Sequence, residues 1–382
     1  MFGWACLAAW GAMAAAWFLG VRRVPTLTGA SAGRLLPGFP SVSVVVAARN
    51  EEAALERALS SVLAQDYPDL EVIAVDDRST DRTGEILDGL AAADPRLRVL
   101  HLGELPPGWL GKNHALWQGA RRARGEWLLF TDADVGFAPR CLGRAVAYAR
   151  ARRLDHLALV PRLAVEGLWL RALVVAFAVL FFLYTRPWRV ANPRARESLG
   201  VGAFNLVRRR VYEDVGTHRA LAARVDDDLA LGRRIKASGF RQGVAWASEL
   251  IAVEWYTGVG QAIRGLEKNA LAPFGFRAGP ALGAAALAIA VHVAPPLVLL
   301  LSPAGGSWAL VGAVALLFAV AGDGARRAGL PGAYGLLHPV GTAILLWAIV
   351  RAAGKAALRG ELEWRGTRYP VSWLRKGGAG PP

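Results

Sequence analysis

The stretch LLFTDADVGF, residues 128–137, runs three apolar residues into two aspartates set one residue apart. An apolar run of this kind suits a buried strand, and a carboxylate pair at its end is either a surface turn or a ligand set. The flanking sequence bears on that choice. SVSVVVAA (41–48) reads as a buried strand, EEAALERALSSVLAQ (51–65) has helical periodicity, and EVIAVDD (71–77) is a second strand. A helix-like DRTGEILDGLAAA (81–93), a third strand RLRVLHL (96–102) and a helix over 112–124 lead to EWLLFTDAD (126–134) as the fourth strand. This alternation predicts an α/β fold, a mostly parallel sheet with right-handed crossovers, in which ligands bind at the carboxyl ends of the strands. Two acidic pairs fall there: Asp76 with Asp77, and Asp132 with Asp134. Aspartate is common in turns, but carboxylates held close repel unless a cation or a proton relieves them. An Asp-x-Asp at a strand end can hold Mg²⁺ or Mn²⁺ together with substrate phosphates.

Composition sets the frame around this sheet. The 382 residues are 54% apolar and 20% charged, with a formal net charge of +15. The mean hydropathy of +0.31 is oily for a purely soluble chain. The combination predicts a protein that is part soluble and part membrane-embedded. Cys6 and Cys141 are the two cysteines, which gives neither a disulfide framework nor a metal spacing.

Residues 1–21 carry no charge and end at Arg22 and Arg23, the order expected of a retained membrane anchor rather than of a signal peptide. Charge-free runs at 279–301, 307–322 and 328–350 are further spans in a C-terminal region over 279–353, the middle one short. A cytoplasmic domain followed by three spans would leave the C-terminus outside. Yet residues 351–376 hold seven Lys or Arg against Glu361 and Glu363, which favours a cytoplasmic basic tail over 354–382. Both sides of the bilayer stay open for that end. LWLRALVVAFAVLFFLYT (168–185) lies inside the soluble part and reads as an interfacial helix, the alternative being a buried core helix.

Six segments in order carry a family resemblance: VVVAARNEE (44–52), VDDRSTDRT (75–83), GKNHALWQGA (111–120), TDADV (131–135), VGAFNLVRR (201–209) and VDDDLALGRRIKASGF (225–240). Together they resemble the family 2 glycosyltransferases, over about residues 40–270. The resemblance implies a GT-A fold, a Rossmann-like nucleotide-diphospho-sugar domain, which Arg22 and Arg23 after the first span would place on the cytoplasmic side of a cell membrane. The apolar tail with LEWRGTRY (362–369) resembles the membrane-bound branch acting on carotenoid-type, hopanoid-associated or ceramide lipids. By this resemblance Ala47, Arg49, Glu51, Asp76, Asp77, Lys112 and Asp132 bind a donor nucleotide-sugar, with UDP expected, and Asp134 ligates Mg²⁺ or Mn²⁺. Gly202, Ala203, Phe204, Asn205, Asp227, Gln261 and Arg264 face the acceptor, and Asp228 is the general base of an inverting transfer to a membrane lipid.

Each assignment has a plainer rival. Asp226, Asp227 and Asp228 also suit the first turn of an exposed helix, and 261–269 suits an ordinary amphipathic helix. His114 is either a substrate contact or a surface residue. Membrane members of the family usually carry Gln-x-x-Arg-Trp before their last spans; here Gln261 and Arg264 are followed by Gly265. That departure favours a single transfer over a processive polysaccharide synthase. A non-catalytic sugar-lipid-binding membrane protein is the rival of a different class. The basic residues flank membrane segments, and no nucleic-acid-binding module is recognisable, so the bilayer is the expected partner.

Overall fold

The computed structural model describes residues 1–28, 38–302, 307–364 and 367–375. In chain order its elements begin with α1 (Phe2–Val21), β1 (Val42–Ala48), α2 (Leu55–Leu63), β2 (Leu70–Asp77), α3 (Thr83–Ala93), β3 (Leu97–Leu102) and α4 (Gly111–Arg122). Next come β4 (Trp127–Asp132), β5 (Val135–Phe137), α5 (Cys141–Ala151), β6 (His156–Val160), β7 (Arg162–Ala164), α6 (Leu168–Thr185), β8 (Asn205–Arg208), α7 (Arg209–Asp214), α8 (Asp227–Ala237), β9 (Gln242–Trp246) and β10 (Ile251–Glu254). Helices α9 (Val259–Ala270), α10 (Ala278–Ala288), α11 (Ala294–Leu301), α12 (Trp308–Arg327) and α13 (His338–Arg359) follow, and the chain closes with β11 (Glu361–Trp364), β12 (Thr367–Pro370) and α14 (Val371–Arg375).

The chain divides into a sheet unit, residues 24–162 and 187–254, and a helical unit, residues 1–23, 163–186 and 255–376. In the sheet unit seven strands lie in the order β3-β2-β1-β4-β8-β6-β9. Strands β1, β2, β3 and β4 are mutually parallel, as are β6 and β9, while β8 runs antiparallel between β4 and β6. The near-continuous apolar runs of β1 and β2 are buried along almost their whole length, as strands covered by crossover helices must be. Register fixes the carboxyl edge: Ala47 sits opposite Asp132 and Val75, and Ala48 opposite Asp76. At the far edge the segment after α1 closes the sheet, Leu27 donating to the Trp246 carbonyl at 2.8 Å and Trp246 to that of Pro25 at 2.8 Å.

The expected soluble span of 40–270 is shorter in the structure and interrupted. It ends at Glu254, and 168–185 departs from it into the helical unit as α6. There α6 packs against α12 and α13 and buries Leu170, Ala172 to Ala176, Ala178, Val179, Phe182 and Thr185. Packing of that kind is a bundle contact, which an isolated surface-lying helix would lack. The two backbones approach so closely that a Cβ on Gly341 would fall 2.0 Å from the Ala172 carbonyl oxygen.

Five segments among the described residues are long and apolar enough to cross a membrane: Phe2–Val21, Leu168–Arg189, Ala278–Leu301, Trp308–Arg327 and Gly332–Arg359. The run at 307–322 looked short because Asp323 ends it. In the structure the helix continues to Arg327, and the Asp323 carboxylate accepts from Trp17 Nε1 at 2.8 Å and Arg327 Nε at 2.7 Å. A half-buried carboxylate with two such donors is tolerated in an apolar bundle. Two of the seven basic residues that favoured a cytoplasmic tail are also accounted for locally. Arg351 and Lys355 lie in α13 and hold the buried Glu267 of α9, at 2.6 and 2.5 Å. Of that tail, residues 365–366 and 376–382 lie outside the described residues.

Replacing Gly341 by Val drives a side chain into the α6 backbone. It is expected to destabilise the helical unit by about 1–3 kcal/mol, the cost of overpacking, seen as a lower thermal midpoint of the detergent-solubilised chain, whereas Val340→Ala leaves the midpoint nearly unchanged.

Candidate functional site

Three segments meet at the carboxyl edge of the sheet. Strand β4 ends in Asp132, the first turn of α4 carries Lys112, and α8 begins with Asp227 and Asp228. Lys112 Nζ lies 2.7 Å from Asp132 Oδ1 and 3.5 Å from Asp227 Oδ2. The backbone between β7 and β8 supplies the link to Asp228. Gly202 N–H donates to Asp228 Oδ2 at 2.8 Å, and its carbonyl accepts from Asp132 N at 3.1 Å. Glycine is required at this crossing, because a Cβ there would stand 2.6 Å from Asp132 Oδ2. Asp228 Oδ1 also accepts from its neighbour Leu229 N at 2.7 Å, so both oxygens are oriented.

The electrostatics follow from that arrangement. Burial works against the Lys112 charge, but Asp132, Asp227 and Asp228 outweigh it and hold the ammonium well above its usual range. Burial raises the Asp228 pKa; Lys112 and the Leu229 amide pull it back, and Asp132 and Asp226 push it up again. His218, packed on Phe130 at 4.6 Å, is kept neutral with its pKa down at about 3, by burial and then by Lys112. Asp226 points elsewhere, pairing with Arg224 at 2.8 Å and with Arg233.

The second acidic pair closes the other side of α4. Asp77 is held by Arg78, Nε to Oδ1 at 2.8 Å, with Arg49 at 4.0 Å. A Cβ on Gly111 would meet Asp77 Oδ2 at 2.1 Å, so Asp77 abuts the start of the helix that carries Lys112. Asp76 accepts from Ser79 N at 3.1 Å and faces His101 Nδ1 at 3.1 Å. Glu51 N–H donates to Thr83 Oγ1, and Asn50 Oδ1 accepts from Thr80 N, both at 2.8 Å, which ties the loop after β1 to the loop after β2. Ala47, Arg49, Glu51, Asp76, Asp77, Lys112 and Asp132 therefore share one edge of one unit.

The acceptor assignments separate. Gly202 and Asp227 belong to the constellation. Phe204 is fully buried against Phe137, and Asn205 is buried in β8 with Oδ1 on His156, so these two side chains support the sheet and do not face an acceptor. Ala203 is buried, its carbonyl accepting from Thr131 Oγ1 at 2.8 Å. Gln261 and Arg264 lie on α9 in the helical unit, where Gln261 Oε1 accepts from Thr257 N and Oγ1 at 2.9 Å. His114 is not at the surface: it is buried, with Trp109 5.3 Å and Trp117 6.1 Å away.

Asn113 was not singled out by the sequence, although it adjoins Lys112. Fully buried, its amide nitrogen donates to the carbonyls of Leu221 at 2.5 Å, Ala222 at 3.2 Å and Arg224 at 2.9 Å. It thus clamps the strap that leads into Asp226–Asp228, and Leu110 N–H adds a bond to the Ala222 carbonyl at 2.7 Å. No periodicity or motif marks an amide that works on backbone a hundred residues away.

A divalent metal can be tested against this donor set. Asp132, Asp227 and Asp228 outnumber the one ammonium, Asp134 follows two residues after Asp132, and all these side chains offer hard oxygens, as Mg²⁺ and Mn²⁺ prefer. No group of three His, Cys, Asp or Glu set for a metal exists among the described residues. The residues therefore fit an ion held by one or two carboxylates and completed by phosphate and water, not a cage made by protein alone.

Residues 43–216 match the family model for glycosyl transferase family 2, and are a domain of that family. The chain is 31% identical over 210 residues to a beta-monoglucosyldiacylglycerol synthase of Synechocystis sp., covering 54% of this chain and 42% of that protein. It is 28% identical over 195 residues to a 4,4'-diaponeurosporenoate glycosyltransferase of Staphylococcus haemolyticus, covering 50% and 51%. The chain thus spans about half the length of these relatives or less. Among solved structures it resembles the mannosyltransferase PcManGT from Pyrobaculum calidifontis, determined with GDP-Man and Mn²⁺, at a TM-score of 0.57 and 24% identity over 94% of this chain and 98% of that one. That likeness concerns the fold, which is of the GT-A type.

Two substitutions test the geometry. Asn113→Ala is expected to cost about 1–3 kcal/mol by removing the side-chain donor shared by the Leu221, Ala222 and Arg224 carbonyls, read as a lower thermal midpoint. Asp228→Asn should do the reverse at neutral pH. A folded-state pKa above the unfolded value means that native stability declines as pH rises through the folded pKa. Removing the charge therefore raises the midpoint at pH 7 and leaves it unchanged near pH 3, which a pH series of thermal scans resolves.

Proposed function

We propose that this chain is an inverting glycosyltransferase that moves a sugar from a nucleoside diphospho-sugar to a lipid acceptor in a membrane. One observation carries the reading: the Lys112–Asp132–Asp227 contact at the carboxyl edge of a family 2 sheet, with Asp228 oriented beside it through Gly202. The acceptor class is supported by the five apolar helices and by the relative whose name is a monoglucosyldiacylglycerol synthase. Arg22 and Arg23, directly after α1, favour a cytoplasmic sheet unit in a multi-pass cell-membrane protein.

In this reading Asp76 and Asp77 with Arg49 and the 47–51 loop hold the nucleoside. Lys112 stays protonated and offsets charge developing on the departing diphosphate. Asp228 takes the proton of the attacking hydroxyl; its raised pKa makes it a stronger base than an exposed aspartate. Asp227 keeps Lys112 in place. Asp134 and Asp132 would hold a divalent ion, which would supply further positive charge toward the leaving group. With one base and no covalent nucleophile, attack inverts the anomeric carbon. A processive synthase is disfavoured at Gly265, because Tyr256 fills the space there: a Cβ on Gly265 would lie 2.4 Å from its hydroxyl.

The test uses detergent-solubilised chain, a panel of UDP- and GDP-sugars and extracted membrane lipid, with and without Mn²⁺. Transfer of label to an extractable lipid is expected, falling by about 10²-fold or more in Asp228→Asn. The rate should rise with pH through an inflection above the ordinary aspartate range, since the base must be ionised. Label accumulating in insoluble polymer, or full activity in Asp228→Asn, would overturn the reading.

A further inference from the structure

At the opposite edge of the sheet, where β4, β6 and β9 begin and antiparallel β8 ends, lies a second polar cavity of about 650 Å³. Asp132 is six residues along β4 from Glu126 in this cavity, about 20 Å by the rise of a strand. The cavity is therefore separate from the carboxylate edge. Its walls carry Arg153, Arg208, Arg209 and Arg241 with Glu126 and Asp155. Arg210 and Glu213 complete them, so guanidinium groups exceed carboxylates by two.

The pairing is uneven. Arg208 is committed: it meets Glu126 at 3.0 Å and Asp155 at 3.6 Å, and lies over the Trp127 ring at 4.6 Å. Arg210 reaches Asp155 at 3.9 Å. The side chains of Arg153, Arg209 and Arg241 have no carboxylate partner among the described residues, while the Arg241 backbone N–H donates to Asp155 Oδ2 at 3.0 Å. Arg209 Nε donates to the Gly125 carbonyl at 2.8 Å, and this fixes the group, while its Nη2 is buried without a hydrogen-bond partner. A buried donor left unmade is costly, and an anionic oxygen satisfies it. Planar guanidinium forks match the oxygens of phosphate two at a time, and an excess of two positive charges matches a phosphate dianion.

We propose that this arginine cavity is a second, non-catalytic binding site for a phosphate-bearing ligand, either a phosphomonoester lipid headgroup or a soluble phosphate. Arg153, Arg209 and Arg241 contact the phosphate, and Arg208 forms the rigid wall.

Titration calorimetry of the full chain with inorganic pyrophosphate, in detergent and with chelator to empty any metal site, tests this. Binding is expected to survive Lys112→Gln at the catalytic edge, to weaken at least tenfold in Arg153→Gln/Arg241→Gln, and to tighten severalfold in Glu213→Gln. The last variant removes a carboxylate, so it reports on the site even if the double variant fails to fold. Repeating the titration in nanodiscs separates the two sources. Weakening by phosphatidic acid, relative to phosphatidylcholine alone, identifies the headgroup, and no weakening identifies a soluble phosphate. Absence of binding to the parent chain, a loss that follows Lys112→Gln, or no response to Glu213→Gln would each overturn the proposal.

Discussion

One ammonium group organises the carboxyl edge of the sheet. Lys112 stands among Asp132, Asp227 and Asp228, three carboxylates that would repel one another without it. They come from two distant parts of the chain: Asp132 from the end of a parallel strand, Asp227 and Asp228 from the first turn of a helix nearly a hundred residues later. The Lys112 charge makes their approach possible, and the Gly202 backbone makes it narrow. That one residue's backbone serves two acids at once, its N–H donating to the Asp228 carboxylate and its carbonyl accepting from the Asp132 amide. The α4 helix bears more than this one contact. Its N-terminus abuts Asp77, its Lys112 faces the carboxylates, and its Asn113 clamps the strap that delivers Asp227 and Asp228.

The site is left with surplus negative charge, which suits a divalent ion and a diphosphate arriving together. Lys112 and Asp228 are set in opposite senses by the same neighbourhood. The acids keep the lysine charged, while burial makes the aspartate hold its proton more tightly. In the proposed transfer, an acceptor base and a leaving-group cation need those two tendencies at neighbouring positions. Burial that raises the Asp228 pKa also burdens the fold at neutral pH, so in the proposed chemistry stability and basicity pull apart at this edge.

In the helical unit the organising contacts are polar ones inside apolar surroundings. Asp323 with Trp17 and Arg327, and Glu267 with Arg351 and Lys355, each tie together helices far apart in sequence. Interhelical hydrogen bonds of this kind fix which faces meet, since apolar packing alone discriminates little between them in a lipid environment. Close approach of α6 and α13 at Gly341 does the same by shape.

The sequence by itself determined the parallel sheet, the acidic residues at its carboxyl edge and the apolar helices, because strand and helix periods and charge-free runs are local properties. Helix α6 matches its expected bounds residue for residue, yet its partners α12 and α13 were not legible, since a hydrophobic helix does not state what it packs on. Tertiary structure alone decided that Asp323 could sit inside a long helix. It also placed Phe204 and Asn205 in the core, where an isolated motif suggested contact with an acceptor. The Asn113 clamp and the arginine cavity were equally hidden, for one physical reason: hydrogen bonds and charge pairing depend on distance in space, and the chain brings these groups together only after the sheet has closed around them.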